Sequence, residues 1–192
     1  MRDISIKTDA EVVKFVLRDN RFFEDLVQRY EKKLFRYVFR ISGLCKETIE
    51  DLLQEIFIKV YQNLNDYDDQ FSFSSWIYRI AHNTAVSHLR DGKRNMKVLS
   101  MEDEDFSKNF IDFLSSDTDL SRDIDKRTLS RIVHGALMKL PDKYREVLVL
   151  FYLEDKSYKE ISDILKRSMS SVSVLMNRAK LKLKPELEFL NR

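Results

Sequence analysis

The scarcity of helix-breaking residues is the feature that most constrains the fold of this chain. Its 192 residues include only three glycines and two prolines, the two residue types least compatible with a helix interior. The aliphatic residues recur at the spacing of a helix with one buried face rather than in strict alternation. With 43% apolar residues, the chain can also fill a core. The sequence therefore predicts a folded, all-α protein.

Helix boundaries are predicted from periodic segments and stop signals. The segments in the first half run from Asp9 to Arg18, Arg21 to Ser42, Thr48 to Leu64 and Ser74 to Arg90. Those in the second half run from Arg127 to Leu140, from Asp142 to Leu153, and then on either side of a short turn at Lys166 to Ser168. Gly43, Gly92 and Pro141 stand where helices are expected to stop.

Charge is distributed unevenly along the chain. The stretch from Ser100 to Asp125 holds nine acidic residues and two basic ones, a net charge of −7, so the remainder carries +9. An acidic middle between two basic ends indicates two small helical domains joined by a flexible acidic linker. A solvated, disordered spacer with no role beyond its length is the alternative.

Several function classes are disfavoured by what the sequence lacks. The single cysteine, Cys45, excludes an intrachain disulfide and suits a reducing compartment. The first residues do not resemble a signal peptide, and the longest apolar run, Val147 to Leu153, is too short to span a bilayer. We therefore expect a cytoplasmic protein with no direct membrane insertion. His82, His88 and His134 have no second ligand at a metal spacing, so we predict no metal, no cofactor and no catalytic centre.

The carboxy-terminal segment SYKEISDILKRSMSSVSVLMNRAKLKLK has a helix-turn-helix layout. Ser157 and Glu160 form a predicted capping box, and either Ser170 or Ser171 can cap the second helix. One face of that helix is apolar and is expected to be buried: Val172, Leu175, Met176, Ala179 and Leu183. The candidate DNA-contacting residues are Ser171, Ser173, Val174, Asn177 and Arg178. Such groups can bond base edges, meet a thymine methyl or hold phosphate. The alternative is that the two helices only complete a bundle.

The segment DLLQEIFIKVY carries an apolar residue on its polar side. Helical geometry places Asp51, Gln54 and Glu55 opposite the apolar face, with Ile58 in the middle of them. An exposed isoleucine ringed by acceptors suggests docking against a basic partner helix. The alternative is a scattered surface apolar residue, which is common.

The next helix, SWIYRIAHNTAVSHLR, presents a stripe suited to a nucleic-acid strand. Arg79, Asn83, Val86 and Arg90 lie at successive turns of its outer face. The preceding loop is rich in aromatic residues: Tyr67, Phe71, Phe73 and Trp76. Aromatic rings beside a basic stripe can stack on bases that leave an opened duplex. Core packing is the alternative for all four rings, and is favoured for Phe73 and Trp76.

Four segments together resemble the extracytoplasmic function (ECF) group of bacterial sigma factors. They are DLLQEIFIKVY, FSFSSWIYRIAHN, LPDKYREVLVLFYLEDKSYKEISDIL and MNRAKLKLK, in the same order as in that group. The resemblance implies a promoter-melting domain called region 2 at residues 8–95, an acidic linker at 96–125, and a helix-turn-helix domain called region 4 at 126–190. It implies a non-enzymatic subunit that gives RNA polymerase its promoter recognition.

The resemblance also assigns a task to each surface. The face formed by Asp51, Gln54, Glu55 and Ile58 is similar to the part of the family that docks on core RNA polymerase. Arg79, Asn83 and their neighbours match the part that reads and opens the minus-10 element of promoter DNA, with Asn83 at the base-capturing position. Ser173, Val174, Asn177 and Arg178 match positions that address the minus-35 element. The acidic linker matches one that threads toward the RNA exit path, and a membrane-linked anti-sigma factor is expected as a partner.

Departures from the usual family pattern concern promoter preference. Lys166 stands where the turn often has glycine, and Ser173, Leu175 and Val86 stand where basic or polar residues are common. Fewer neutralised phosphates imply weaker affinity for isolated DNA. A stand-alone helix-turn-helix regulator remains an alternative function, but it would leave the Ile58 face unexplained. An enzyme acting on nucleic acid would need a carboxylate cluster for metal, whereas the acids here are concentrated in the linker.

Overall fold

The computed structural model describes residues 7–91 and 126–187, and within these ranges the chain forms eight α-helices and no strand. The helices are α1 (Asp9–Val16), α2 (Phe23–Ser42), α3 (Lys46–Gln62), α4 (Phe73–Arg90), α5 (Lys126–Lys139), α6 (Asp142–Leu148), α7 (Tyr158–Leu165) and α8 (Met169–Leu187). Short 3-10 turns occur at Asn20–Phe22 and Leu64–Asp66, and a π-helical turn at Val149–Leu153. The predicted all-α fold is confirmed. The predicted acidic linker lies outside the described residues.

Residues 7–91, here called the amino-terminal unit, pack as a small bundle of α2, α3 and α4 with α1 against α2. Thr8 caps α1 through a reciprocal capping box with Glu11. Gly43 ends α2 in the left-handed region, at a φ of 64°, where a residue without a Cβ avoids strain. The predicted inner face of α4 is buried at Trp76 and Ile77, as expected from its helical spacing.

Residues 126–187, the carboxy-terminal unit, contain the predicted helix-turn-helix at α7 and α8. The Ser157 and Glu160 capping box at the start of α7 is confirmed. The prediction that Ser170 or Ser171 caps α8 is wrong, because α8 begins earlier. The Ser168 hydroxyl accepts a hydrogen bond from the Ser171 backbone N–H at 3.2 Å. The cap therefore lies at the last residue of the predicted turn, and α8 begins directly after it at Met169.

A buried arginine shapes the bend between α5 and α6 at Pro141. The Arg145 guanidinium donates to the Leu140 carbonyl at 3.3 Å and to an Asp142 carboxylate oxygen at 2.6 Å. It thereby satisfies a carbonyl at the end of α5 that helix geometry leaves unpaired. After α6, the segment predicted to continue as one helix to Leu153 becomes a π-helical turn.

The two units lie against each other. Helix α4 packs on α7, while α2 packs on α5, α6 and the π-helical turn. Buried residues from both units belong to one continuous apolar cluster. The two units therefore share one packed core.

The turn between α7 and α8 should become more stable when Lys166 is replaced by glycine. Lys166 ends α7 in the left-handed region, with φ 52° and ψ 46°, which strains a residue that has a Cβ. Glycine removes that strain but has more backbone freedom in the unfolded chain, so we expect Lys166→Gly to raise the free energy of unfolding by about 0.5–1 kcal/mol. Urea denaturation measures the change. Arg167→Gly is the matched control, since Arg167 does not have a positive φ, and an equal gain there would contradict the argument.

Candidate protein-docking and nucleic-acid interfaces

Helix α3 carries the predicted docking face on its exposed side. Asp51, Gln54, Glu55 and Ile58 are all exposed, and Ile58 has 56% of its surface accessible. Glu55 is paired with Lys59 at 2.7 Å, and the Lys59 ammonium also donates to the Thr84 hydroxyl of α4 at 3.2 Å. These four residues form one continuous surface, called the α3 face below. The hydrogen bond from Lys59 to Thr84 ties this face to the neighbouring α4 and holds the orientation of the face.

Helix α4 carries the predicted stripe, but the carboxy-terminal unit covers part of it. Asn83 and Arg90 are exposed, whereas Arg79 and Val86 are partly buried. Arg79 lines a cleft of about 190 Å³ together with Asp163 and Lys166. The four residues, called the α4 stripe below, lie on one side of the helix, as predicted from their spacing.

The aromatic rings predicted for the loop before α4 fall into two groups, because α4 begins at Phe73 and so includes Phe73 and Trp76, whereas Tyr67 and Phe71 precede the helix. Phe73 and Trp76 are buried, so the core-packing interpretation favoured for them is confirmed. Tyr67 packs on both rings, with centroids 5.2 and 5.7 Å away, and its hydroxyl donates to the Phe71 carbonyl at 2.7 Å. Phe71 is 55% exposed. The packed rings thus hold Phe71 at the surface beside the α4 stripe, where it can stack on a base.

Helix α8 presents the predicted reading face to solvent. Val174, Asn177 and Arg178 are exposed, while Ser171 and Ser173 are partly buried. The opposite face is buried as predicted: Val172, Leu175, Met176, Ala179 and Leu183. The exposed groups combine an apolar contact, an amide and a guanidinium, which suit a thymine methyl, a base edge and a phosphate. This surface is called the α8 face below.

Sequence reasoning missed a buried polar cluster between the units. The Arg40 guanidinium of α2 is paired with the Glu154 carboxylate at 2.7 Å, and Tyr78 of α4 also bonds Glu154. One signal was available, because Arg40 follows the apolar residues Val38 and Phe39 and precedes Ile41. An arginine inside an apolar run is expected to be buried with its neighbours, and a buried charge requires a partner.

Titratable groups at the contact between the units are perturbed by burial. Burial, with a smaller effect of the Arg167 charge, lowers the pKa of His82 to about 4. Burial raises the pKa of the Tyr37 hydroxyl well above its ordinary value. The two groups lie 3.1 Å apart, from the Tyr37 oxygen to His82 Nδ1. Near neutral pH the histidine is therefore uncharged, and Nδ1 and the neutral tyrosine hydroxyl share one hydrogen bond.

Acidification should destabilise the folded protein through His82. As the pH falls from 6.5 towards 4, the unfolded chain binds a proton at this ring and the folded chain does not, so the free energy of unfolding decreases. Since a tenfold difference in proton affinity corresponds to about 1.4 kcal/mol, we expect a loss of roughly 2 kcal/mol at about pH 5. Urea denaturation at that pH and at neutral pH measures it. On the same change of pH, His82→Gln should lose much less of its free energy of unfolding, whereas the control His88→Gln should lose as much as the wild type. Identical losses in the wild type and both variants would contradict the assignment to His82.

Two further features concern metals and membranes. Among residues 7–91 and 126–187, no three histidine, cysteine or carboxylate side chains lie together as a metal site would require. Within the same ranges, none of the helices combines the length and apolarity needed to cross a bilayer.

Comparison with known proteins gives two family matches in chain order. The model of Sigma-70 region 2 matches residues 26–95, and that of Sigma-70, region 4 matches residues 130–183. Among curated proteins, the ECF RNA polymerase sigma factor SigW of Bacillus subtilis (strain 168) is 31% identical over 173 residues, spanning 90% of this chain and 92% of SigW.

Solved structures share the fold. CnrH, in complex with the cytosolic domain of CnrY, superposes with a TM-score of 0.69 at 23% identity, over 95% of this chain and 98% of CnrH. The sigma factor RpoE of Bartonella quintana, in complex with the anti-sigma factor NepR, superposes with a TM-score of 0.64 at 17% identity, over 86% of this chain and 96% of RpoE. With both family models in order and SigW aligned over nearly its whole length, this chain belongs to the ECF family of RNA polymerase sigma factors.

Proposed function

We propose that this ECF sigma factor binds core RNA polymerase through the α3 face and directs it to promoters read by α4 and α8. The observation that carries the proposal is Ile58, an exposed isoleucine surrounded by Asp51, Gln54 and Glu55 on a helix next to the α4 stripe. A docking helix needs an apolar anchor inside a polar rim. Arginine or lysine side chains of a partner helix can bond the surrounding acceptors.

The α4 stripe is proposed to capture the opened strand at the minus-10 element. Asn83 is exposed and can bond a base edge, while Arg79 and Arg90 can neutralise phosphates. Phe71, exposed on the loop before α4, supplies a ring for stacking. Stacking and hydrogen bonds offset the cost of unpairing a base. Region 2 in this proposal covers residues 8–95.

The α8 face is proposed to read the minus-35 element in the major groove. Val174, Asn177 and Arg178 are exposed on a helix whose other face is buried, which is the placement of a recognition helix. Ser171 and Ser173, near the start of the same helix, complete the proposed contacts. Region 4 in this proposal covers residues 126–190 and is connected to region 2 by the acidic linker, 96–125.

An anti-sigma factor is proposed as the regulatory partner. RpoE of Bartonella quintana has been solved with the anti-sigma factor NepR, and its fold is similar to that of this chain. Such a partner would act by covering the α3 face or by restraining the two units. The proposed function assigns no catalytic chemistry to the chain itself.

The proposed function is tested by transcription with purified bacterial core polymerase. The full-length chain is added to core enzyme and a library of promoter fragments, and run-off transcripts are sequenced. We expect the chain to copurify with core enzyme and to produce transcripts from a defined subset of fragments. The stand-alone regulator alternative predicts tight binding to a duplex without polymerase and no new transcripts, and that result would replace the proposal.

A further inference from the structure

A cleft of about 370 Å³ is lined by residues of α2, α4 and α6. Its apolar lining consists of Ile41 of α2 and of Val86 and Leu89 of α4. Ile41 is buried, whereas Val86 and Leu89 are partly exposed. The volume lies in the range of about 300–1,000 Å³ that small-molecule sites occupy. The cleft can therefore enclose the hydrocarbon part of a small molecule.

Glu146 of α6 brings a carboxylate to the same cleft. Burial, reinforced by the neighbouring Asp142 charge, raises the pKa of Glu146, and the cations Arg145 and Arg167 offset this effect only in part. In the part of the chain that the structure describes, no hydrogen bond or ion pair satisfies this carboxylate. A carboxylate that is removed from water and has no partner is unfavourable, so Glu146 is an acceptor available to a ligand.

The two cations that line the cleft do not neutralise Glu146. The Arg145 guanidinium donates to the Asp142 carboxylate at 2.6 Å, so its charge is compensated there. The Arg90 side chain is 77% exposed, and its Nε lies 3.9 Å from the Asp91 carboxylate. The polar end of a ligand would therefore meet a negative charge at Glu146.

The apolar lining and the carboxylate together define the chemistry of the ligand. An aliphatic chain would displace water from the surfaces of Ile41, Val86 and Leu89. An ammonium group would donate charged hydrogen bonds to Glu146, and its positive charge would favour the ionised carboxylate, so that binding offsets part of the cost of burial. A carboxylate or phosphate ligand would instead place a second negative charge beside the first and be repelled.

We propose that this cleft, called the amine cleft below, binds a small aliphatic amine. The ammonium group of the ligand pairs with Glu146, and its hydrocarbon chain packs on Ile41, Val86 and Leu89. Because the lining comes from α2 and α4 on one side and α6 on the other, the ligand contacts both units. This site goes beyond the proposed function, which needs neither an amine nor Glu146.

The experiment compares n-hexylamine with hexan-1-ol as ligands of the full-length protein near neutral pH. The two probes share one hydrocarbon chain and differ only in the charge of the end group. Titrations followed by amide NMR measure each dissociation constant, and the amide signals of α4 and α6 that shift locate the ligand. We expect the amine to bind about tenfold to a hundredfold more tightly than the alcohol, as for a hydrogen bond to a charged group.

Glu146→Gln is the variant that tests the role of the carboxylate. It removes the charge and keeps the size of the side chain, and it breaks no contact, so the fold should be retained. Its affinity for n-hexylamine should fall about tenfold or more, while its affinity for hexan-1-ol should stay as in the wild type. Glu50→Gln is the matched control, since Glu50 pairs with Lys46 at 3.5 Å on α3, outside the cleft. This control should bind the amine like the wild type.

Equal affinity of the wild type for the amine and the alcohol would overturn the proposal. An equal loss of amine binding in Glu146→Gln and Glu50→Gln, or no loss in Glu146→Gln, would do the same. If Glu146→Gln does not fold, Leu89→Trp replaces it, because a larger ring should fill the apolar part of the cleft and prevent binding of the amine; wild-type affinity there would also overturn the proposal. Polymerase and DNA are absent from these titrations, so their result is independent of the proposed function.

Discussion

Replacing Ile58 with glutamate should abolish binding to core polymerase and leave the fold intact. Ile58 is 56% exposed, so the substitution removes little core packing. In the complex it would place a carboxylate, without a designed partner, inside the α3 face beside Asp51 and Glu55. An uncompensated charge buried in an interface costs several kcal/mol. We therefore expect an affinity decrease of at least about a hundredfold, at 1.4 kcal/mol for each factor of ten.

The measurement is a pull-down with core polymerase together with promoter-dependent transcription. Circular dichroism and a thermal melt should show the helicity and stability of the wild type. The matched control is Leu17→Glu, because Leu17 lies at the end of α1 and is 49% exposed. It also replaces an exposed aliphatic side chain of the amino-terminal unit by a carboxylate, but outside the α3 face. Wild-type binding by a folded Ile58→Glu would remove the α3 face from the proposed interface.

Replacing Asn83 with alanine should prevent promoter opening without weakening the binding of polymerase. Asn83 is exposed on α4, one turn from Arg79, so its loss costs the fold little. If its amide bonds a captured base, the substitution removes a specific contact of about 1–3 kcal/mol. We expect the yield of open complexes to fall about tenfold to a hundredfold, because this contact forms only after the base has left the duplex.

Permanganate reactivity of unpaired thymines measures opening directly, and the pull-down measures polymerase binding in the same preparation. Ser87→Ala is the matched control on α4, since Ser87 lies between stripe positions Val86 and Arg90 but outside the stripe. On a fully premelted promoter the strands are already separated, so the part of the defect of Asn83→Ala that arises from the opening step should disappear. Equal permanganate reactivity of the two proteins on duplex promoters would show that Asn83 does not capture the base.

Helical periodicity was sufficient to predict which sides of α3 and α8 are exposed. The exposure of Ile58 and Val174 and the burial of Leu175 follow from a rotation of about 100° per residue along an unbroken helix. This information is local, because each face needs only its own segment. The all-α fold and the three candidate surfaces were therefore accessible from the sequence.

Helix ends were less accessible because several residues have the same local preference. Ser168, Ser170 and Ser171 are equally suited to cap a helix. The left-handed conformation of Lys166 directs the chain so that Ser168 takes this place. Similarly, the π-helical turn at Val149–Leu153 interrupts an apolar run whose spacing predicted a continuous helix.

The sequence by itself determined the helices, their faces and the residues available for docking and reading, because these depend on neighbours within a few turns. Only the tertiary structure decided which surfaces meet. Glu154 binds Arg40 across 114 positions of sequence, and no periodicity specifies such a partner. The same packing lowers the pKa of His82 and covers part of the α4 stripe. These properties arise from desolvation and charge at a contact between distant segments, so they exist only after the two units have come together.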